Sequence, residues 1–401
     1  GVFARLDVLE RLPDNSYHLY EIKSSSSIKK DKKHNHLKDA CFQKYVLTEC
    51  GYNISKVSII HLSKEFVKNG EIDAHKLLEI VDVTVDIEQL YTATVNEINE
   101  AINLIDKTID LDSCSCLAKT RSNHCDAFNY FNENIPEHSI YKLNRISAKK
   151  IAELRDLGVV DLSDVPDNYE LAEKQRLHII SLQRNQPITN PTKIEEELSK
   201  LKYPLHFIDY ETYPTAVPIV EGFKPHQHLV FQVSLHTMQE NGEITHYEYL
   251  ANNLDLPKDM LAGMHQATNG NTGTFISWHA SFEISKNKEL ITQVPEYKNY
   301  LEYINANTYD LEQLFFTKYA DYRFLGKTSI KNVLPVLVPH LNYKDLEVQN
   351  GTMALDTWGR MILGDDFNQD VKETRKNLLA YCELDTLAMV EIFKVLKGEK
   401  S

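Results

Sequence analysis

The segment Leu205–Thr212, which reads LHFIDYET, constrains the fold more than any other part of the sequence. Its apolar run is typical of a buried strand, and the strand ends in two acidic residues. Because strand side chains alternate, every second residue from Leu205 lies on one face, and Asp209 and Glu211 continue that face. Carboxylates on an apolar face are costly unless a cation meets them. Hard divalent cations prefer oxygen ligands, so the segment predicts a metal site. The alternative is a strand end whose carboxylates point into water.

A second acidic position lies in the segment 373–397, which predicts a helix because apolar residues recur at spacings of three and four. Tyr381 and Asp385 are one turn apart on the face that also carries Leu378 and Met389. Asp385 among apolar neighbours indicates a third metal ligand, with a tyrosine hydroxyl beside it. The alternative is a surface aspartate on a helix that is apolar nearly all round.

Between these segments, residues 276–283 (ISWHASFE) predict a short strand followed by a helix start that carries Glu283. Together the three segments resemble the DnaQ-like exonuclease superfamily, in the variant with a tyrosine in its last motif. Asp209 and Glu211 match the Asp-x-Glu motif, and Tyr381 with Asp385 matches the Tyr-x-x-x-Asp motif. The resemblance covers about residues 201–397.

The middle motif of that family is a strand followed by Asn-x-x-Phe-Asp, and residues 279–283 match it loosely. Glu283 stands where the family usually has aspartate, and His279 stands where it often has asparagine. The longer side chain of Glu283 could move a metal ligand. A nearby acid, Asp310, is interpreted as a helix N-cap or first-turn residue.

The resemblance implies an RNase H-like domain with a mixed sheet and 3′-to-5′ exonuclease activity that requires Mg²⁺ or Mn²⁺. Two such ions about 4 Å apart activate a water molecule and stabilise the leaving oxygen of a phosphodiester. The four carboxylates would hold the ions, and Tyr381 would help to position the water. The expected substrate is DNA or RNA, at single-stranded ends. The alternatives are a catalytically decayed nucleic-acid-binding protein and a metal-dependent phosphatase.

The N-terminal region carries a second pattern. Asp7 interrupts a short apolar strand, a turn follows at residues 13–16, and Glu21 and Lys23 then share a face of the next strand. A helical segment follows with Gln43 and Tyr45. This pattern resembles the RecB-type PD-(D/E)xK nucleases, including CRISPR-associated members, and implies a restriction-endonuclease-like α/β fold. By this resemblance Asp7 and Glu21 bind a metal, Lys23 orients water or stabilises charge, and Gln43 and Tyr45 form the Gln/Tyr helix motif.

Basic residues near both sites are candidates for nucleic-acid contact. Beside the N-terminal pattern they are Lys29, Lys30, Lys32 and Lys33, and the alternative is a solvated loop. Near the C-terminal site the candidates are the polar Ser329 and the basic Lys331, and the alternative is a helix start capped by Thr328 or Ser329.

The chain has six cysteines, and we expect a reduced, cytoplasmic protein without disulfides, since neither a signal peptide nor a membrane-length apolar run is found. Cys114, Cys116 and Cys125 lie close together in the sequence. The RecB-type resemblance implies an iron–sulfur cluster completed by an upstream fourth cysteine, and we expect the N-terminal region to be truncated. A zinc site that includes His124 and three unlinked thiols are the alternatives.

The sequence predicts an α/β protein in three regions: residues 1–110 as the nuclease-like domain, 111–200 as a cysteine-containing helical connector, and 201–398 as the exonuclease-like domain. In the connector, a helix ending at Gly158 suggests a small module of the helix–hairpin–helix sort or a structural spacer. The whole order resembles a bacterial family of uncharacterised proteins that fuse the two nuclease types. A net charge of −14 argues against a general nucleic-acid coating protein, so any such contact must come from local basic patches.

Overall fold

The computed structural model describes residues 1–31, 34–105, 107, 114–364 and 367–398. It is a mixed α/β protein, which confirms the predicted class, and it divides into two compact units. Unit 1 comprises residues 1–109 and 214–228, and unit 2 comprises residues 110–213 and 229–401. The predicted connector, residues 111–200, therefore clusters with the C-terminal residues. Among the described residues, no helix has both the length and the apolar character needed to cross a membrane.

Unit 1 is built on a four-stranded sheet in the order β1-β2-β3-β4. Its elements in chain order are β1 (Val8–Arg11), β2 (Tyr17–Lys23), α1 (His36–Glu49), β3 (Ile54–Leu62), α2 (Ala74–Leu77), β4 (Leu78–Asp82) and α3 (Thr84–Ile105). Strands β1 and β2 form the antiparallel hairpin that the turn at residues 13–16 predicts. Strands β2 and β3 are parallel, so α1 is the crossover that a parallel pair needs. Buried apolar residues such as Leu19, Cys41 and Ile59 form the core.

Unit 2 is built on a five-stranded sheet in the order β10-β9-β6-β7-β8. Its strands are β5 (Ile188–Thr189), β6 (Leu205–Pro214), β7 (His228–Met238), β8 (Ile244–Leu250), β9 (Thr274–Ser277), β10 (Thr308–Asp310) and β11 (Tyr319–Ala320). The sheet is mixed, because β6, β9 and β10 run parallel while β7 and β8 run antiparallel. Strands β5 and β11 form a separate antiparallel pair. The predicted strand at residues 205–212 is confirmed as the central strand β6.

The helices of unit 2 are α4 (Phe128–Phe131), α5 (Ala148–Asp156), α6 (Glu173–Arg184), α7 (Pro191–Leu198), α8 (Lys258–Ala267), α9 (Ser281–Gln293), α10 (Lys298–Ala306), α11 (Leu314–Thr317), α12 (Ile330–Leu337), α13 (Gly351–Leu363) and α14 (Val371–Leu396). The predicted C-terminal helix is confirmed as α14. The helix predicted to end at Gly158 is confirmed as α5, and Gly158 itself has a φ of +77°.

The two faces of β6 meet different helices, as the alternation of its side chains requires. Ile208 and Tyr210 pack into a core with α8, α9 and α10, where the Tyr210 hydroxyl donates to Asn287 Oδ1 at 3.0 Å. The opposite face meets α14, where the rings of Phe207 and Phe393 are 5.6 Å apart. Asp209 lies on this second face, beside Cys382 of α14. The pattern that predicts a buried strand therefore also directs its carboxylates toward α14.

The connector has its own apolar core within unit 2. It is formed around the fully buried side chains Ile140, Ile151 and Leu154, and Cys116 and Phe128 pack against them. Short elements cover this core, so the region is a packed subregion rather than an extended linker.

Gly273 fixes the start of β9 beside β6. Its φ is +69°, and a Cβ at this position would lie 1.9 Å from the carbonyl oxygen of Pro204. We predict that Gly273→Ala lowers the free energy of unfolding by more than the ~1–2 kcal/mol expected for left-handed backbone alone. Gly270→Ala is the matched control, because its φ is +77° and the nearest atoms belong only to the His265 side chain, at 3.3 Å. Urea unfolding of both variants measures the difference, and equal losses would contradict the argument.

Candidate metal centre

Three carboxylates meet where β6 faces α14. Asp209 and Glu211 come from the strand and Asp385 from the helix, and one oxygen of each lies within 4.8 Å of the others. The strand places its two acids on one face, and the helix brings the third from 174 positions further along the chain (385 − 211). Three convergent carboxylate oxygens are the donor set that a hard divalent cation prefers.

Burial makes this cluster electrostatically strained. Desolvation and mutual repulsion raise the pKa of Glu211 to about 8, and they raise the pKa of Asp209 well above its usual value. Desolvation also raises the pKa of Asp385 to about 6, although a hydrogen bond from Tyr343 opposes the shift. Such a site must either hold protons or gain positive charge, and a bound cation would remove both causes of the shift.

Glu283 lies near the triad but outside it. It is in the first turn of α9, is 4% exposed, and one of its oxygens, Oε2, has no hydrogen-bond partner. Burial, followed by repulsion from Asp310 and Asp385, raises its pKa to about 8. The structure therefore brings Asp209, Glu211 and Asp385 together and leaves Glu283 as a fourth buried acid that interacts with them through space. An unpartnered buried oxygen fits a site that binds a cation or its waters.

Tyr381 and Lys331 flank the acids. The Lys331 amine donates to the Tyr381 hydroxyl at 3.4 Å and to the carbonyl of Gln349 at 2.8 Å. The amine also lies 5.1 Å from the centre of the Tyr381 ring. The hydroxyl of Tyr381 favours the charged forms of Glu211 and Asp385 and so opposes the rise that burial causes in their pKa values. Tyr381 and Lys331 therefore lie at the carboxylates, as the sequence patterns predict for both.

Two residues at the site were missed by the sequence patterns. The Tyr343 hydroxyl donates to Asp385 Oδ1 at 2.5 Å, and the Cys382 thiol donates to Asp209 Oδ2 at 3.8 Å. Cys382 could have been found, since it lies three positions before Asp385 on the same helix. Tyr343 has no such signal, because it sits in a short 3₁₀ turn (Tyr343–Asp345) outside every motif.

The segment before α9 turns sharply beside the site. His279 has a φ of +63°, its backbone N–H donates to Asp310 Oδ1 at 3.0 Å, and its ring contacts Glu312 at 3.0 Å. Asparagine, aspartate and histidine are enriched at left-handed positions, which gives a physical reason for either asparagine or histidine here. Asp310 also accepts from the Glu312 N–H at 3.1 Å, which confirms the N-cap interpretation.

A cleft of about 320 Å³ opens onto the carboxylates. Its polar wall includes Ser329 and Lys331, and its apolar wall includes Trp278, Phe282 and Met389. Ser329 occupies the N-cap position of α12 but makes no capping bond, and its hydroxyl instead donates to Asn332 Oδ1 at 2.7 Å. The carboxylates therefore lie beside a surface that could hold an extended, partly apolar substrate.

In unit 1, Glu21, Lys23 and Gln43 come together at the end of β2. The Lys23 amine contacts Glu21 Oε1 at 2.5 Å and also pairs with Asp39, while Gln43 Nε2 donates to Glu21 Oε2 at 2.5 Å. Burial lowers the pKa of Lys23, but the bonds to Asp39 and Glu21 outweigh it and raise the pKa overall. Asp39 was missed, although it lies one helical turn before Gln43 and the spacing could have indicated it.

Asp7 and Tyr45 are the other two residues predicted for this site. Asp7 is exposed, and its carboxylate accepts the Ile22 N–H at 2.8 Å, so it extends the β1–β2 hairpin. Tyr45 lies two positions after Gln43 in α1, and residues two apart do not share a helix face. The assignment of Gln43 with Tyr45 to a Gln/Tyr helix motif stays a prediction. Among the described residues, Asp7, Glu21 and Asp39 do not bring their oxygens within 4.8 Å of one another.

The predicted basic cluster near this site is only partly described. Lys30 pairs with Asp86 at 3.3 Å, and the backbone N–H of Lys29 donates to His36. Lys32 and Lys33 lie outside the described residues.

The three connector cysteines are neighbours, but their sulfurs are not all within 4.8 Å of one another in the described region. Cys116 is buried, and its sulfur accepts the Cys125 N–H at 3.5 Å. The ring of His124 stacks on Phe128, and its Nε2 contacts the Lys119 carbonyl at 3.0 Å. Both the iron–sulfur and the zinc interpretations stay predictions.

A second group of ligand atoms consists of His236, His246 and Glu383. The two imidazole rings stack at 4.2 Å with an interplanar angle of 18°. Because ring lone pairs lie in the ring plane, two nearly parallel stacked rings do not direct both nitrogens at one ion. The acidic triad is therefore the better cation site.

Comparison with known proteins finds relatives, and these are described only as uncharacterized or of unknown function. A family model described as a domain of unknown function (DUF2779) matches residues 206–329, which include β6 and Glu283 but neither Tyr381 nor Asp385. The uncharacterized protein MG366 of Mycoplasma genitalium is 22% identical over 404 residues, covering 87% of this chain and 60% of the relative. Its homolog in Mycoplasma pneumoniae is 26% identical over 226 residues, covering 51% of this chain and 34% of the relative.

A further relative, the uncharacterized protein UU173 of Ureaplasma parvum, is 26% identical over 229 residues, covering 50% of this chain and 32% of the relative. The chain thus spans less than two thirds of the length of each of these curated relatives. No solved structure matches the chain.

Proposed function

We propose that unit 2 is a divalent-metal-dependent nuclease that hydrolyses phosphodiester bonds of DNA or RNA stepwise from a 3′ end. The convergence of Asp209, Glu211 and Asp385 at one point carries the proposal. Their placement on a central strand of a mixed sheet and on a packed C-terminal helix supports the RNase H-like, DnaQ-like resemblance. Buried carboxylates that lack a matching set of cations are otherwise costly to maintain.

The chain's own groups divide into ligands and positioning groups. Asp209, Glu211 and Asp385 would hold Mg²⁺ or Mn²⁺, and the buried Oε2 of Glu283 would accept hydrogen bonds from waters around them. Such ions supply Lewis acidity and a nucleophile at neutral pH. Tyr381, with its hydroxyl held by Lys331, is oriented toward the carboxylates and would position the attacking water. The Lys331 amine places one positive charge where charge develops on the phosphoryl group.

The walls of the cleft favour a nucleic acid over a small phosphomonoester. Trp278 and Phe282 offer aromatic surface beside the acids, and base–aromatic stacking accepts any base. A phosphatase that takes small substrates has no need of such a wall. A decayed nucleic-acid-binding protein is the remaining alternative, and Glu283 in place of aspartate is the observation that favours it.

A second, RecB-type nuclease site in unit 1 is the weaker part of the proposal. Glu21, Lys23 and Gln43 support it because they meet at one strand end. Lys23, however, is already paired with two carboxylates, and Asp7 bonds to the backbone. We infer that the unit 1 site contributes less activity than the unit 2 site.

The decisive experiment uses 5′-labelled single-stranded DNA and RNA with Mg²⁺, with Mn²⁺ and with EDTA. The proposal expects a ladder of products shortened from the 3′ end that EDTA abolishes. Retention of the oligomer without cutting would favour the binding protein. Release of phosphate from small monoesters without cutting of oligomers would favour the phosphatase.

The variant Tyr381→Phe tests whether Tyr381 positions the attacking water rather than helping to bind the substrate. Removing the hydroxyl leaves the three carboxylates in place, so we expect kcat to fall by roughly 10²-fold while KM changes little. Tyr343→Phe is the comparison, because its hydroxyl bonds only to Asp385; it should raise the metal concentration needed for half-maximal activity rather than lower kcat at saturating metal. Equal kcat losses in the two variants would contradict a special role for Tyr381.

A further inference from the structure

The loop Leu325–Ser329 leads directly into the cleft and is held by cationic and polar residues of the connector. Arg121 donates to the Leu325 carbonyl at 3.0 Å, and Asn144 donates to the Gly326 carbonyl at 3.1 Å. The Lys174 amine donates to Thr328 Oγ1 at 3.4 Å. These contacts follow the order of the loop, so the connector residues form a row that ends where Ser329 and Lys331 line the cleft.

The close fit of this loop depends on Gly326. Its φ is +69°, and a Cβ there would lie 1.6 Å from the Lys142 carbonyl oxygen. At the other end, Thr328 donates to Glu312 Oε1 at 2.7 Å, and the indole of Trp278 donates to the Thr328 carbonyl at 2.9 Å. The loop is thus fixed to the connector on one side and to the aromatic wall of the cleft on the other.

The row concentrates positive charge in a protein whose net charge is −14. Lys142 lies within electrostatic range of Arg121 and Lys327, and Lys174 within range of Arg145. None of these five forms an ion pair within 4.0 Å with a carboxylate in the described ranges. Glu137 acts electrostatically on Lys142 and Glu312 on Lys174, and Glu312 is already bonded to Thr328 and His279.

Like charges held together without counter-ions on the protein indicate an anionic partner. After burial, which is the largest cause, repulsion from Arg121 and Lys327 lowers the pKa of Lys142. Burial, followed by repulsion from Arg145, lowers the pKa of Lys174 to about 8. A bound phosphate would offset both effects. Because Arg121 and Lys174 contact the loop at different residues, Leu325 and Thr328, the charge is spread along the loop, and a chain of phosphates fits it better than a single anion.

We propose that Arg121, Lys142, Arg145, Lys174 and Lys327 form a phosphate track that binds the backbone of the single nucleic-acid strand whose end lies in the cleft. The proposal rests on the proposed function and adds where the rest of the substrate lies. Because the loop leads away from the cleft toward the connector, the track would hold the nucleotides that follow the strand end, and its contribution should grow with oligomer length. The connector thereby becomes part of the substrate site instead of a spacer.

The test keeps Arg121 and Lys174, whose side chains hold the loop, and replaces the other three track residues in one variant: Lys142→Gln, Arg145→Gln and Lys327→Gln. The matched control removes the same charge at Lys149→Gln, Lys258→Gln and Lys298→Gln, which lie on exposed helix positions. Binding of a fluorescent 20-mer of single-stranded DNA or RNA is measured by anisotropy in EDTA, between 50 and 300 mM salt.

We expect the track variant to bind the 20-mer at least about tenfold more weakly at low salt. The slope of log K against log salt should fall by about 2, since each lost phosphate contact on a single strand contributes about 0.7. The control should keep the wild-type slope. In cleavage assays the loss in kcat/KM should shrink as the oligomer is shortened from 20 to 2 nucleotides.

Equal affinity and slope in the track and control variants would overturn the proposal. Poly-glutamate that displaces the 20-mer at equal charge concentration would also overturn it, because the row would then recognise acidic chains in general. If the triple variant unfolds, Lys327→Gln alone, at an exposed position, should still lower the slope by about 0.7. Since binding is measured in EDTA, a wild-type protein that binds but cannot cut refutes the proposed function without refuting the track.

Discussion

Asp209→Asn is expected to abolish metal-dependent shortening of oligonucleotides, with a loss of kcat/KM of at least ~10²–10³-fold. Asp209 lies at the centre of the acidic site, because its carboxylate is close to Glu211 and Asp385 and also interacts with Glu283. Asparagine has nearly the same shape but removes one negative charge and one ligand oxygen. The fold should survive, since the change relieves repulsion at a buried position. Initial rates on a 5′-labelled 20-mer in Mn²⁺ measure the effect.

Lys23→Ala is the comparison that ranks the two candidate sites. In unit 1 its amine is neutralised by Glu21 and Asp39, so we expect its loss to leave most of the 3′-to-5′ activity intact. If Lys23→Ala abolished cutting while Asp209→Asn did not, the nuclease would be the unit 1 site and our ranking would be reversed. Activity that survives both single changes and disappears in the double variant would show that both sites cut.

The parts of the site that could be predicted from the sequence are those that depend only on the side-chain spacing along one strand or one helix. Alternation on β6 and the four-residue spacing from Tyr381 to Asp385 each place side chains on one face of one element, so local geometry alone fixes them. That β6 and α14 pack together follows from both faces being apolar, as the contact between Phe207 and Phe393 illustrates. The convergence of the three acids is a consequence of that packing.

The remaining features depend on contacts between distant, irregular segments. Tyr343 reaches Asp385 from a 3₁₀ turn that lies between α12 and α13 in the chain, and no spacing in the sequence encodes this contact. Tyr45 is a case that the family resemblance and the helical period treat differently, because it lies two positions after Gln43 in α1 and residues two apart do not share a helix face. The cationic row was missed for a related reason: Arg121, Lys142 and Lys327 are far apart in the sequence and meet only because the connector packs on the loop.

The acidic triad should also make the stability of the protein depend on pH and on bound metal. Metal binding can therefore be measured without any substrate. Burial raises the pKa of Glu211 from 4.5 to about 8 and that of Asp385 from 3.8 to about 6. When the pKa of an acidic group is higher in the folded state than in the unfolded state, the folded state binds more protons at any pH between those two pKa values. The stability contribution of such groups is therefore fully present below about pH 4 and is lost as the pH rises toward 8.

In EDTA, then, the Tm of the protein should fall between pH 5 and pH 8.5, by roughly 5 °C or more, because each pKa unit corresponds to about 1.4 kcal/mol and each kcal/mol to a few degrees. Glu211→Gln should flatten this dependence, whereas Glu302→Gln, at an exposed helix position, should not. Mn²⁺ should raise the Tm of the wild type most at pH 8, where the carboxylates must otherwise carry uncompensated charge.

Differential scanning calorimetry at four pH values, with EDTA or with 1 mM Mn²⁺, makes the measurement. A Tm gain from Mn²⁺ that persists in the double variant Asp209→Asn, Asp385→Asn would place the bound ion elsewhere, with His236 and His246 as the next candidates. A gain that disappears in that variant and remains in Glu302→Gln would assign the ion to the acidic triad. Because the readout is stability, it holds whether the protein cuts nucleic acid or only binds it, and so it separates the metal site from the reaction proposed for it.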